Sequence, residues 1–138
     1  LYYKIIHLSI GNLKKTKMLK KNYEFKYFFK KGEYISGKYI EIFIHRNKLD
    51  KNKLGIIVSK KVGNSVVRHR VRRLIKESYI SLESEMSSNI NMLICWKKKI
   101  EFDKNLSFFD IKKDLENVLK KAEILDNEEN TNILNKNI

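Results

Sequence analysis

The sequence predicts an α+β domain in which helices cover a small central sheet, and two kinds of hydrophobic pattern predict it. Apolar and polar residues alternate over 39–44, and a nearly continuous apolar run covers 54–59, as expected of a half-buried and a fully buried strand. Apolar residues instead recur at helical spacing over 65–84 and 108–124. With 138 residues, the chain has room for one domain with one modest core. The predicted order is helix, two or three strands, helix, strand, helix, with one face of the sheet open to a ligand.

The first helix is predicted between a capping residue and a stop signal. Asn22 can cap its start, Gly32 can end it, and a short basic arm precedes it. The phenylalanines between these ends fall at helical spacing. Phe25 and Phe29 form one stripe, and Phe28 is expected to lie off that stripe.

The next segment is predicted to form strands. Over 38–45 the alternation places Tyr39, Glu41, Phe43 and His45 on one face and three isoleucines on the other. A charged turn then leads into the buried strand at 54–59.

The C-terminal half is predicted to contain a helix at about 65–84, a strand at 91–97 and an amphipathic helix at 108–124. We expect the domain to cover 13–125. The extension at 1–12 and the Asn-rich tail at 126–138 are predicted to be disordered.

Charge points to a polyanionic partner. The chain carries 30 Lys and Arg against 16 Asp and Glu, which gives a net charge of +14 and a pI near 9.8. Such a surplus favours nucleic acid first and an anionic membrane surface second. No stretch approaches the roughly 20 apolar residues that span a bilayer. A membrane-surface helix would need a free apolar face, and the apolar face over 67–82 is expected to pack in the core.

Residue types that carry catalysis or bind metals show no useful pattern. The only cysteine, Cys95, lies in an apparent buried strand, so we expect a structural thiol and a reducing, cytoplasmic compartment. His7, His45 and His69 lack metal-ligand spacing, and the carboxylates show no paired pattern. The sequence therefore predicts no catalytic residue, metal site, bound cofactor or small-molecule substrate.

The helix at 65–84 carries the strongest functional signal. From Lys60 to Lys76 the chain has seven Lys or Arg and no acidic residue. Arg68, Arg72 and Lys76 follow each other at i,i+4, where like charges repel unless a polyanion neutralises them. Arginine's forked donors also suit phosphate oxygens. Phosphate binding is therefore predicted, with a simple solvated face as the alternative.

The turn before this helix is a weaker candidate. Lys60 and Lys61 precede Gly63, and Asn64 or Ser65 can cap the helix, whose free N–H groups attract anions.

Aromatic residues form the second candidate site. Three isoleucines already supply the buried face of the strand at 39–44, so Tyr39 and Phe43 are predicted to point toward the open face, beside Phe25 and Phe29. Aromatic side chains on an open sheet next to basic residues can stack on single-stranded nucleotides. The alternative is that they belong to the core.

The run at 59–76 closely resembles the signature of the bacterial ribonuclease P protein component, and the resemblance extends over about 13–124. It implies an α/β sandwich with a left-handed βαβ crossover, against the usual right-handed preference. It also implies a partner RNA that supplies the active site, with magnesium there, and removal of the 5′ leader from precursor tRNA. The leader would bind in a cleft at Phe25, Phe29, Tyr39 and Phe43. The residues that the resemblance places at the catalytic RNA are Lys60, Lys61, Asn64, Arg68, His69, Arg70, Arg72, Arg73 and Lys76.

One position departs from the family. Arg68-His-Arg70 stands where the family usually has Arg-Asn-Arg, and histidine changes the hydrogen-bonding geometry and can become charged.

Two other classes of protein remain open on the sequence. A general RNA-binding module, such as a ribosomal or assembly factor, would use the same helix, and an intrinsic endonuclease would cleave without an RNA subunit.

Overall fold

The computed structural model describes residues 13, 16–19, 22–48 and 51–125. The extension at 1–12 and the tail at 126–138, for which disorder was predicted, lie outside these residues. The strands are β1 (Thr16–Met18), β2 (Glu33–Ser36), β3 (Ile40–Arg46), β4 (Asn52–Ile57) and β5 (Ile90–Trp96). The helices are α1 (Asn22–Lys31), α2 (Ser65–Leu82) and α3 (Phe108–Lys121), and short 3-10 turns lie at Lys60–Val62 and Glu83–Glu85.

The five strands form one mixed sheet in the order β1-β4-β5-β3-β2. β4 pairs in parallel with β1 and with β5, whereas β3 pairs antiparallel with β5 and with β2. Because two adjacent parallel strands need a long connection, α2 crosses between β4 and β5 and forms a βαβ unit. The predicted α+β class is confirmed, and so is the predicted order of elements from α1 onward, with three strands between α1 and α2.

One strand, β1, was not predicted from the sequence, and β2 is the third strand that the prediction allowed without assigning residues to it. Residues 16–18 were assigned to a basic arm, and that assignment was wrong, because they form β1. The reason is tertiary: the Thr16 Oγ1 and Tyr79 Oη atoms are 2.8 Å apart in a buried hydrogen bond, and the N–H of Leu19 donates to the Leu54 carbonyl at 2.7 Å. A three-residue strand with these distant partners leaves no periodic signal.

One face of the sheet carries the main core. α2 and α3 both pack against it, as their apolar faces predict. Val71, Ile75 and Leu82 are buried, while Val67 and Leu74 are half-buried against the same core. The three isoleucines of β3 are also buried there, as their alternation predicts.

The opposite face is only partly covered, by α1. Phe28 and Leu93 are buried between α1 and the sheet, together with Leu19 and Cys95. A Cβ at Gly55 would lie 2.8 Å from the Phe25 ring, so the absence of a side chain there lets α1 approach β4 closely. No other described element covers the rest of this face, which holds the aromatic residues described below.

A carboxylate of α3 fixes the start of β3. Asp114 accepts hydrogen bonds from the backbone N–H groups of Lys38, Tyr39 and Ile40 at 2.7, 2.7 and 3.1 Å. It lies against Gly37, where a Cβ would be 2.7 Å from the Asp114 Oδ1 atom. This contact ties the helix layer to the β2–β3 hairpin, which carries one wall of the candidate site.

Candidate nucleic-acid interface

Three aromatic rings from three elements meet on the open face. Phe43 of β3 lies 5.0 Å from Phe29 of α1 and 5.2 Å from Tyr34 of β2, measured between ring centroids. Phe29 is 56% exposed and Tyr34 is 51% exposed, whereas Phe43 is half-buried between them. We call Phe29, Tyr34 and Phe43 the aromatic platform.

Backbone geometry places these rings together. Tyr34 is the direct cross-strand partner of Phe43 in the β2–β3 pairing. α1 ends with the Gly32 N–H bonded to the Phe28 carbonyl at 2.9 Å, and a Cβ at Gly32 would lie 2.6 Å from that carbonyl oxygen. The tight exit from α1 brings Phe29 over β3.

The four predicted aromatic residues have different positions in the structure. Phe29 and Phe43 lie together on the platform. Phe25 is half-buried beneath α1 and packs on the small cluster around Leu93. Tyr39 was predicted to share the Phe43 face, and that placement was wrong. Its ring stacks on Trp96 with centroids 5.8 Å apart, on the side of the main core.

The alternation failed at Tyr39 because regular strand geometry begins only at Ile40. Asp114 draws the backbone N–H groups of residues 38–40 toward α3, so the chain turns before β3 starts. Phe28 lies off the Phe25–Phe29 stripe, as predicted. It is buried between α1 and the sheet, so it belongs to the core and not to the exposed platform.

Tyr34 is a platform residue that the sequence did not indicate. The available signal was the short Tyr-Ile-Ser-Gly segment between the first helix and the strand at 39–44. Such a segment indicates one strand of a hairpin only when its pairing with the next strand is known. Its hydroxyl donates to Glu41 Oε2 at 2.6 Å, and this hydrogen bond to a carboxylate raises the pKa of Tyr34. At the other end of this face, the Tyr27 hydroxyl lies 3.0 Å from His45 Nε2.

The basic helix begins at a well-formed cap. The Asn64 side-chain oxygen accepts from the Val67 N–H at 3.0 Å, and Ser59 Oγ accepts from the Lys61 N–H at 3.3 Å in the preceding turn. The side-chain oxygen of Asn64 therefore caps α2. Lys60 and Lys61 are both exposed at this end of the helix.

Burial along α2 separates its basic side chains into two groups. His69, Arg70 and Arg72 are exposed, whereas Arg68, Arg73 and Lys76 are half-buried. Arg68 Nε is buried and has no hydrogen-bond partner among the described residues, and the Arg70 guanidinium carbon lies 5.7 Å from the Phe102 ring centroid. The predicted division of α2 into an apolar and a basic side is confirmed, although half of the six basic side chains over 68–76 are partly packed.

The register of the sheet shows how the aromatic platform lies relative to the start of α2. Gly55, Leu93 and Phe43 form one row across β4, β5 and β3. Ile57, Cys95 and Glu41 form the next row, and the chain passes from there to Lys60 and α2. The aromatic platform and the start of α2 therefore lie near the same end of β4, on different faces of the sheet.

Groups that could perform chemistry on their own are few in the part of the chain that the structure describes. Burial raises the pKa of the Cys95 thiol to about 12, so this thiol stays protonated and unreactive. Residues 13, 16–19, 22–48 and 51–125 contain no group of three or more His, Cys, Asp and Glu placed to hold a metal ion. Their helices are also too short or too polar to cross a bilayer.

A basic α+β domain with an exposed aromatic sheet surface and an arginine-rich helix is typical of proteins that bind RNA. Comparison with known proteins narrows this class. A sequence model described as Ribonuclease P matches residues 13–123. The chain belongs to the family of ribonuclease P protein components.

Individual relatives agree with this assignment. The ribonuclease P protein component of Clostridioides difficile is 37% identical over 111 residues, covering 80% of this chain and 95% of the relative. That of Fusobacterium nucleatum is 40% identical over 109 residues, covering 78% and 97%. Membership of this family gives the chain a role as a subunit in tRNA processing, within a ribonuclease that includes an RNA partner.

Solved structures show the same fold. The RNase P protein of Staphylococcus aureus matches with a TM-score of 0.69 at 30% identity, over 79% of this chain and 97% of that one. The RNase P protein of Thermotoga maritima matches with a TM-score of 0.70 at 23% identity, over 76% and 96%. The second likeness is one of fold alone.

Proposed function

We propose that this chain is the protein subunit of a ribonuclease P holoenzyme that binds both the catalytic RNA and the 5′ leader of precursor tRNA. The holoenzyme removes the leader by endonucleolytic cleavage and leaves the mature 5′ end of the tRNA. The catalytic groups belong to the RNA, with magnesium at its active site, and the protein alone is inactive. A cytoplasmic location is part of the same proposal.

The observation that carries the proposal is α2. Its buried side anchors it to the sheet. Basic side chains occupy its other sides, and the sequence from Lys60 in the preceding turn to Lys76 contains no acidic residue. Phosphate oxygens would neutralise this row and relieve the repulsion between Arg68, Arg72 and Lys76. The residues proposed to contact the catalytic RNA are Lys60, Lys61, Asn64, Arg68, His69, Arg70, Arg72, Arg73 and Lys76.

The aromatic platform is proposed to bind the leader. Unpaired bases stack on exposed rings without regard to sequence, and the open ring surfaces of Phe29 and Tyr34 offer such a place. Phe43 supports both rings from below, and Phe25 holds α1 on the sheet behind them. Tyr39 has no part in this surface, because its ring stacks on Trp96.

Reconstitution with a cognate ribonuclease P RNA at low magnesium tests the proposal. The protein alone should leave precursor tRNA intact, and it should increase cleavage by the RNA. Cleavage by the protein without RNA, in a preparation treated to remove contaminating nucleases, would instead make it an intrinsic endonuclease. RNA binding that does not depend on leader length would make it a general RNA-binding module.

A further inference from the structure

A groove outside the aromatic platform lies between α2 and the start of α3. Its cavity volume is about 570 Å³, which falls within the range of ordinary small-ligand sites, about 300–1,000 Å³. Apolar side chains form most of its wall. They are Val66, Leu74, Leu106, Phe108 and Phe109.

Two of these apolar side chains are exposed at the mouth of the groove. Val66 lies in the first turn of α2, and Phe109 in the first turn of α3 is 68% exposed. The Phe108 and Phe109 rings pack edge to face with centroids 5.3 Å apart, and most of the Phe109 side chain remains exposed to water. Single exposed apolar residues are ordinary, but several that converge on one groove mark a binding surface.

The groove also carries positive charge. Arg70 and Arg73 line it, together with the histidine His69 and one acidic residue, Glu77. Arg70 lines the groove, and its guanidinium carbon lies 5.7 Å from the centroid of the nearby Phe102 ring. A partner that matches these features combines a flat apolar group with an anion. A nucleotide has this combination in its base and phosphate.

We propose that this groove accepts an unpaired nucleobase of the catalytic RNA, which stacks on Phe109 while its phosphate is neutralised by Arg70 and Arg73. A base within a double helix cannot enter, because its faces are already covered, whereas bases of single-stranded loops and bulges stack on aromatic rings and on arginine. The proposal rests on the proposed function of α2, since the groove shares cations with that helix. It adds an apolar contact to an interface otherwise made of phosphate contacts.

An affinity measurement with cognate ribonuclease P RNA tests this site. Phe109→Ala should weaken binding by about fivefold to 150-fold, the loss expected when one stacked base loses its aromatic partner. The slope of affinity against salt should stay unchanged, because no phosphate contact is removed. Tyr23→Ala on α1, an aromatic residue of similar exposure at 66%, is the matched control and should bind as the unaltered protein does.

A spectroscopic measurement reports on the groove directly. Phe109→Trp introduces an indole at its mouth, and the native Trp96 is buried and gives a constant background. Cognate RNA should quench the new fluorescence, while a fully paired RNA duplex should bind without quenching it. Equal quenching by both RNAs would overturn the proposal, as would an indole already shielded from water in the free protein.

The outcomes separate this proposal from the function on which it rests. If Arg72→Ala weakens RNA binding and Phe109→Ala does not, the groove proposal is overturned and the role of α2 stands. If neither change has an effect, both are overturned. If Phe109→Ala abolishes self-association while RNA affinity is unchanged, the groove belongs to a second copy of the chain and the proposal is overturned.

Discussion

Replacement of Phe29 by alanine tests the aromatic platform with little cost to the fold. One side of the Phe29 ring meets Phe43 at 5.0 Å, and more than half of the side chain is in water. Full burial of a Phe side chain stabilises by about 1.5–3 kcal/mol, so the part buried here contributes roughly 1 kcal/mol. The ring pair adds about 0.5–1.5 kcal/mol. A total near 2 kcal/mol leaves a domain of ordinary stability, about 5–15 kcal/mol, folded.

The expected loss in leader binding is larger than the experimental error of an affinity measurement. Only one side of the Phe29 ring is open, so a single base can stack on it. The loss of one stacked base costs about 1–3 kcal/mol, which raises the dissociation constant roughly fivefold to 150-fold. This increase should appear for precursor tRNA with a leader of several nucleotides, and not for mature tRNA.

The assay is the ratio of the two dissociation constants for the reconstituted holoenzyme at fixed salt. Tyr23→Ala is the control, because Tyr23 is a similarly exposed aromatic residue of α1 outside the platform and its loss should leave this ratio unchanged. A Phe29→Ala protein that is folded and keeps the original ratio would refute leader binding at the platform. Equal weakening toward both tRNAs would refute it as well.

The remaining predictions concern stability, charge and reactivity. Phe28→Ala should destabilise the protein by about 3–5 kcal/mol in urea unfolding, because it empties the contact between α1 and the sheet. Asp114→Ala should cost about 3 kcal/mol or more in the same measurement, because three backbone N–H groups lose a charged acceptor, and a variant of unchanged stability would contradict this account. Arg72→Ala should reduce the logarithmic salt slope of RNA binding by about 0.7–0.9, with folding intact because its side chain is exposed. Cys95 should resist alkylation at pH 8 in the folded protein and react once urea unfolds it, because burial raises its pKa to about 12.

The sequence predicted the helices and buried strands with little error because their signals are local. Val71, Ile75 and Leu82 recur at helical spacing, and β5 is a continuous apolar run. The boundaries shifted by a few residues: α3 ends at Lys121, not at residue 124. Such ends depend on backbone partners that lie elsewhere in the fold.

The errors fall where distant contacts decide the conformation. β1 exists because β4 and Tyr79 supply its partners. Tyr39 turns away from the Phe43 face because its backbone N–H donates to Asp114, which lies 75 positions later in the chain and leaves no local signal. Tyr34 joins the platform only through its register with Phe43. The basic character of α2 could be predicted from residue types alone. The half-burial of Arg68 and Arg73 could not, because it depends on how the helix packs in the fold.

The opposite placement of α2 and the aromatic platform on one sheet has a mechanical consequence. A ligand bound to α2 leaves the aromatic platform uncovered, and a ligand on the platform leaves α2 uncovered, so two ligands would not compete for space. Because the core between the sheet and its helices is closely packed, the distance between the two surfaces is fixed. Two RNA segments bound to these surfaces would therefore be kept at a set distance from each other. A change in that distance would require repacking of the core and not the movement of a loop.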